Sequence, residues 1–267
     1  MYKIGLKLWS INTDCYYNEA IRLHKDKIFD YIELYVVPDS TDTIEKWKQL
    51  NIPFIIHCPH FAHGFNLAKI EKKENNFEIY KQVKQFADEL NAKYIIFHGG
   101  IDGNVDETAK QLMSFNEPRA LIENKPFVAL PNRMRGKFCR GYNIEEIKLI
   151  KDTANCGFCL DFGHAICAAN SMYNSSTPSH LVGKCARLDF IYEYIQGFLQ
   201  LKPYMFHLTD NKDITSPYDS HLHLNTGELD LNRIKSLLPE NAIITLETEK
   251  NSKENLDDFI NDSIAMR

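Results

Sequence analysis

No apolar run in the 267-residue sequence approaches the roughly 20 residues needed to cross a bilayer as a helix. The opening stretch, MYKIGLKLWS, also lacks the apolar segment of a secretory signal. The expectation is a soluble, cytoplasmic protein without a membrane partner. Excess positive charge is missing too: 31 Lys and Arg face 36 Asp and Glu, a net charge of −5. That excludes a global attraction to nucleic acid or anionic lipid, so any such binding needs a local basic patch. The seven cysteines are odd in number and scattered, which argues against a disulfide framework. The lone CxxC, Cys156 to Cys159 in CGFCLDF, sits on an apolar strand candidate and reads as buried thiols rather than a zinc or redox pair. Repeats, low-complexity segments and linkers are absent.

What is present is a 44% hydrophobic fraction with plentiful Phe and Tyr, enough for a sizeable core. Short β-rich runs alternate with longer amphipathic stretches. Strands are predicted at 3–9, 31–37, 53–58, 94–99, 120–124, 157–162, 204–210 and 242–248, with helices between them at 73–90, 143–153, 187–200 and 252–265 among others. In the first of these helices Phe77, Tyr80, Val83 and Phe86 fall three apart and read as one apolar stripe. Eight strands with intervening helices predict an α/β fold, a single (β/α)₈ TIM barrel over residues 1–267. A doubly wound open sheet would usually carry a Gly-rich phosphate turn after its first strand, and LWSINTD has none.

In such a barrel, chemistry collects at the C-terminal ends of the strands. Six successive strand candidates end in a residue able to bind metal: His57, His98, Glu123, Asp161 (followed by His164), His207 and Glu247. Each alone is an ordinary polar residue. Together on one rim they would repel or desolvate one another unless a cation sat between them. The segment DSHLHLN adds Asp219, His221 and His223, which an extended backbone would point one way. Mixed imidazole and carboxylate donors suit zinc, manganese or iron better than calcium or magnesium. The candidates are too many for one ion with open positions, so two or three ions are expected, an arrangement suited to phosphoester hydrolysis. The stretch after Glu123, NKPFVALPNRMRGKFCRGYN, holds Lys125, Arg133, Arg135, Lys137 and Arg140 and no acid. It reads as a phosphate clamp or a solvated loop, and Lys212 in TDNKD is a second phosphate candidate.

The motifs HCP with a following FNLA, FHGG, LIEN, LDFGHA with a small-residue loop after it, FHLTDNK, DSH with LNTGEL, and TLETE span roughly residues 53–250. They resemble the endonuclease IV branch, the type-2 AP endonuclease family of the xylose-isomerase-like TIM barrels. That resemblance implies three zinc ions. His57, His98 and Glu123 would hold the first. Glu123 would bridge to a second that also takes Asp161, His207 and Glu247. His164, Asp219 and His221 would hold the third. It further implies hydroxide attack on a phosphodiester near Glu123 and Glu247. His223 is left to support the ligands or face a substrate. His60, in an insertion before FNLA, is a further substrate contact. The implied partner is a phosphate-bearing substrate: DNA, a nucleotide or a sugar phosphate.

The same superfamily includes sugar and sugar-phosphate isomerases and epimerases. These hold one metal on two Glu, an Asp and a His, a scheme that Glu123, Asp161, His207 and Glu247 also satisfy, with the two Glu as an acid–base pair. The IEL of the second strand is common in that branch. The loops PDSTDT and HFAHGF carry no Lys or Arg, which weighs against DNA. His57, His98, His164, Asp219 and His221 exceed what an isomerase needs and favour the hydrolase.

Overall fold

Period-2 patterning partitions the barrel strands in two. The computed structural model describes residues 1–129, 137–176 and 184–267. The strands are β1 (Lys3–Trp9), β2 (Tyr31–Tyr35), β3 (Phe54–His57), β4 (Ile95–His98), β5 (Ala120–Glu123), β6 (Gly157–Asp161), β7 (Met205–Leu208) and β8 (Ile243–Leu246). All pair in parallel and in chain order, and β1 pairs with β8 to close the barrel. Each lies within its predicted range. The expected TIM barrel is the observed fold.

On each strand, alternate residues face opposite ways. Ile4, Leu6, Ile32, Leu34, Ile56, Phe97, Ile122, Leu160, Phe206 and Leu246 join the large cluster that packs under the helices. Their neighbours Tyr31, Ile55, Ile96, Leu121, Cys159 and Met205 form a separate apolar plug inside the barrel. Gly5 completes the plug by absence: a Cβ there would lie 2.4 Å from the Tyr31 ring. Two residues further along β1 to β7, on the same inward face, the apolar plug gives way to ionisable side chains, whereas β8 has Thr245 there and Glu247 just past its end.

The helices are α1 (Thr13–Lys25), α2 (Ile44–Lys48), α3 (Lys73–Glu89), α4 (Val105–Ser114), α5 (Ile144–Ala154), α6 (Phe162–Ser176), α7 (Lys184–Leu199), α8 (Leu231–Leu237) and α9 (Asp257–Met266). Two differ from expectation. In α3, Tyr80, Val83 and Phe86 are buried but Phe77 is 47% exposed. At about 100° per residue, nine residues rotate the face by half a turn, so a strict three-residue spacing walks off the core side. Ile79 and Ala87 take the buried positions instead. The small-residue stretch after LDFGHA is helical as far as Ser176, its alanines extending α6, which begins directly after β6; its continuation over 177–183 lies outside the described residues. Among the described residues, no helix is long and apolar enough to cross a membrane.

Candidate metal centre

Ladder register brings the strand-end residues together. His98 pairs with Glu123 and Asp161 with His207 across neighbouring strands. One group forms on β3 to β5. His57 Nε2 lies 2.9 Å from His98 Nε2 and 3.1 Å from Glu123 Oε2, and His98 Nε2 is 3.0 Å from that same oxygen. A second group is Glu123, Asp161 and His207, with one donor atom from each inside a 4.8 Å span. Glu247, just past β8, brings Oε1 to 3.1 Å from His207 Nδ1. Glu123 belongs to both groups.

The third group sits at the mouth. His164 is in the first turn of α6, where its backbone N–H donates to Asp161 Oδ1 at 2.7 Å, so Asp161 also caps that helix. His164 Nε2 is 3.4 Å from Asp219 Oδ2, and His221 Nε2 is 2.9 Å from the same oxygen. His221 Nδ1 lies 3.1 Å from the carbonyl of Glu247, and although burial lowers its pKa, Asp219 raises it to about 10, so without a cation Nδ1 donates to that carbonyl and Nε2 to Asp219. The DSHLHLN segment is not extended. His221 has φ of +49°, in the left-handed region, and the chain turns there. His223 is therefore swung away from Asp219 and His221. Its Nδ1 bonds Asp262 at 2.7 Å, and its Nε2 lies 3.0 Å from Asn251 Nδ2.

Charge is unevenly compensated. Burial lowers the pKa of His57 and His98, aided by Lys7 and Lys125 respectively, so both imidazoles are neutral with lone pairs to offer. Burial pushes Glu123 up, but the Lys125 charge, with hydrogen bonds from His164 and His57, outweighs it and holds the carboxyl well below its ordinary range. Asp161 goes the other way, up to about 6: burial together with Glu123, Asp219 and Glu247 exceeds the pull of His164. A central carboxyl driven toward its neutral form marks negative charge without enough positive charge near it. Two donor atoms, His207 Nδ1 and Asp219 Oδ2, are buried against other donor atoms of the cluster, Glu247 Oε1 at 3.1 Å and His221 Nε2 at 2.9 Å respectively. The donor chemistry and the crowding fit divalent cations.

Two groups in this layer escaped the sequence reading. Lys7 donates to Glu33 Oε1 at 2.5 Å and to Glu247 Oε1 at 2.6 Å, and it touches His57 Nδ1. Glu33 is fully buried and accepts from His207 Nε2 at 2.8 Å and from Thr245 Oγ1 at 2.6 Å. The signal was available: each is a lone charge inside an otherwise apolar strand, GLKLW and YIELY, on the inward face.

The phosphate candidates divide. Lys125 and His60 line a cavity of about 580 Å³ above the donors, together with Trp9, Tyr35, Phe61 and Lys250. Lys125 Nζ is 3.3 Å from both Glu123 Oε1 and His164 Nε2. Arg140 is turned elsewhere: its guanidinium bonds the Gly103 carbonyl at 2.9 Å and Glu146 at 3.2 Å. An acid six residues downstream, on the first turn of α5, has claimed it. Lys212 is exposed and off the cavity wall. Arg133 and Arg135 lie outside the described residues. The CxxC is no metal or redox pair in form: Cys159 points into the apolar plug, and both thiols are free.

A closed parallel barrel with His and carboxylate groups gathered at its C-terminal rim defines a TIM barrel with candidate metal sites. The chain belongs to the xylose isomerase-like TIM barrel family, whose pattern matches residues 24–265. It is 24% identical over 209 residues to "Probable endonuclease 4" of Mycoplasmoides gallisepticum, a match that takes in 73% of this chain but 64% of that protein. In structure it is similar to a D-tagatose 3-epimerase-like protein, with a TM-score of 0.68 and 17% identity over 98% of this chain and 94% of that one. It is similar as well to endonuclease IV from Thermus thermophilus, with a TM-score of 0.62 and 18% identity over 94% of each chain. At such identities these structural likenesses speak for the fold.

Proposed function

We propose that this chain is a divalent-metal-dependent phosphoester hydrolase with two or three zinc ions, or manganese in their place. The observation that carries this reading is the third donor group, His164, Asp219 and His221, for which a one-metal isomerase has no use. His57, His98 and Glu123 would hold one ion, Glu123, Asp161, His207 and Glu247 a second, and the third group another. Bound there, such ions polarise phosphoryl oxygens and activate water. The chain's own part is to aim the substrate. Lys125, at the edge of the donor cluster and on the cavity wall, pairs with the phosphoryl group. Glu123 and Glu247 flank the reacting phosphorus, and Glu247 shares its charge with Lys7. Trp9, stacked on Tyr35 with ring centroids 5.0 Å apart, offers a flat face to a base or sugar. A cavity of about 580 Å³ suits a nucleotide or sugar phosphate, or one nucleotide presented by DNA.

Glu33 and the aromatic wall favour a second reading, a sugar or sugar-phosphate isomerase or epimerase with Glu123 and Glu247 as proton carriers around one ion. Metal counting by mass spectrometry, run beside a phosphodiester and phosphomonoester panel, separates the two. The hydrolase reading expects two or three ions per chain, one fewer in Asp219→Asn, and release of the ester. One ion per chain with His57 and His221 both dispensable, and solvent deuterium entering a sugar beside its carbonyl, would overturn it.

A further inference from the structure

Beneath the donor cluster, one carboxylate faces two histidines that belong to different donor groups. Glu33 Oε2 is 2.8 Å from His207 Nε2, and Glu33 Oε1 is 3.4 Å from His57 Nδ1. The far nitrogens of the two rings point into the cluster: His57 Nε2 toward His98 and Glu123, and His207 Nδ1 toward Glu247, Glu123 and Asp161. A neutral imidazole has one N–H and one lone pair, so an acceptor at one nitrogen frees the other for a cation. We propose that Glu33 is the positioning residue of the metal centre, holding His57 and His207 in opposite tautomers so that the first ligates through Nε2 and the second through Nδ1.

The surroundings of Glu33 suit that task. Its Oε2 also accepts from Thr245 Oγ1, and the Tyr31 hydroxyl lies 2.9 Å from that same Thr245 oxygen, a buried column running down into the barrel plug. The column fixes the carboxylate in place. Lys7 supplies the counter-charge that keeps it ionised in so dry a position.

Lys7 sharpens the inference, because its ammonium also touches His57 Nδ1. An ammonium can only donate, and donation there requires a bare Nδ1 with the proton on Nε2, facing His98 and Glu123. A cation on Nε2 and the Lys7 contact on Nδ1 therefore exclude each other. Loading the first group shifts the His57 proton to Nδ1. The acceptor in reach is then Glu33 Oε1, and Lys7 keeps Glu33 and Glu247 as its partners.

The inference rests on metal binding at the first two groups and not on the reaction proposed above. Its direct test is histidine ¹⁵N NMR of the wild-type chain with and without zinc. The expected result is a His57 proton on Nε2 without metal and on Nδ1 with it, and a His207 proton on Nε2 in the zinc-loaded chain. Zinc uptake with His57 metallated at Nδ1, or His207 at Nε2, overturns the Glu33 assignment while leaving the metal centre standing. Absence of uptake at these groups overturns both. A second measurement uses Glu33→Gln, which keeps one acceptor and turns an amide N–H₂ toward one of the two rings. Competition with a chromophoric chelator should show zinc affinity falling 10- to 100-fold at one of the first two groups at least, with the His164, Asp219 and His221 group unchanged. Wild-type affinity at all groups in the folded variant overturns the assignment.

Discussion

Lys250 stands apart from the other lysines by its surroundings. Its ammonium donates to the Thr248 carbonyl at 2.6 Å and lines the cavity wall. Burial pushes its pKa down to about 8, against the opposing pull of Asp258 and Asp262. A lysine whose folded pKa lies below its unfolded value sheds its proton earlier in the folded state. Stability from this group therefore rises with pH between about 8 and the ordinary value of 10.5, and below that window its charge weighs against folding. The amine is thus nucleophilic at a pH where exposed lysines are still capped by protons. A small amine reagent at pH 8 should label Lys250 ahead of the surface lysines, as read by peptide mass spectrometry, and a cavity ligand should slow it. Labelling of Lys250 no faster than of Lys212 would contradict this. At this scale the strand-end donor candidates were readable in the sequence because each closes an apolar run, whereas His164, Asp219 and His221 lie on α6 and in the loop after β7. Arg140 was misread because loop composition shows charge but not direction, and its partner Glu146 lies on the next helix.

At the scale of elements, β6 and α6 share one residue. Asp161 ends the strand, offers Oδ2 to the donor cluster, and with Oδ1 accepts the His164 N–H at the start of the helix. Asn124, at the end of β5, clamps the same backbone from the side: its amide accepts from the Asp161 N–H at 2.8 Å and donates to the Asp161 carbonyl at 2.9 Å. The two duties of Asp161 can be separated. Asp161→Asn keeps an oxygen for the cap and loses the charge, whereas Asp161→Ala loses both. The expectation is equal damage to metal uptake in the two variants, with the Ala protein about 1 kcal/mol less stable than the Asn protein in urea unfolding. Equal stability would mean that the cap contributes nothing. The sequence showed β6 plainly, but it hid α6, because a run of small residues fits a loop and a helix alike until the helix has a sheet to pack against. The α3 stripe failed for the opposite reason: a regular spacing looked like a face, but helical rotation carried Phe77 out of it.

The whole molecule sets what no segment could. Lys7 and Glu33 sit on strands with no strand-end signature, and only closure of β1 onto β8 brings Lys7, Glu33, His207 and Glu247 within hydrogen-bonding reach. Closure also concentrates five carboxylates, Glu33, Glu123, Asp161, Asp219 and Glu247, in one layer, and among the described residues the buried ammonium groups paired with them are Lys7 and Lys125. The deficit is borne by Asp161. Asp161 therefore meets a repulsion that a bound divalent cation would relieve, so metal and stability are linked. A cation that binds the folded chain alone adds about 2.7 kcal/mol per site when free at 100 times its Kd. For a domain of this size, each kcal/mol moves the melting temperature by about 2–4 °C. Zinc added to chelator-treated protein should then raise the melting temperature by about 10 °C or more when two or three sites fill, as read by circular dichroism. Asp219→Asn should lose part of that rise and melt below the wild type without metal, since against burial His221 and His164 hold the Asp219 carboxyl well below its ordinary range and the variant removes their partner. A melting temperature indifferent to zinc would mean that the layer is balanced without it.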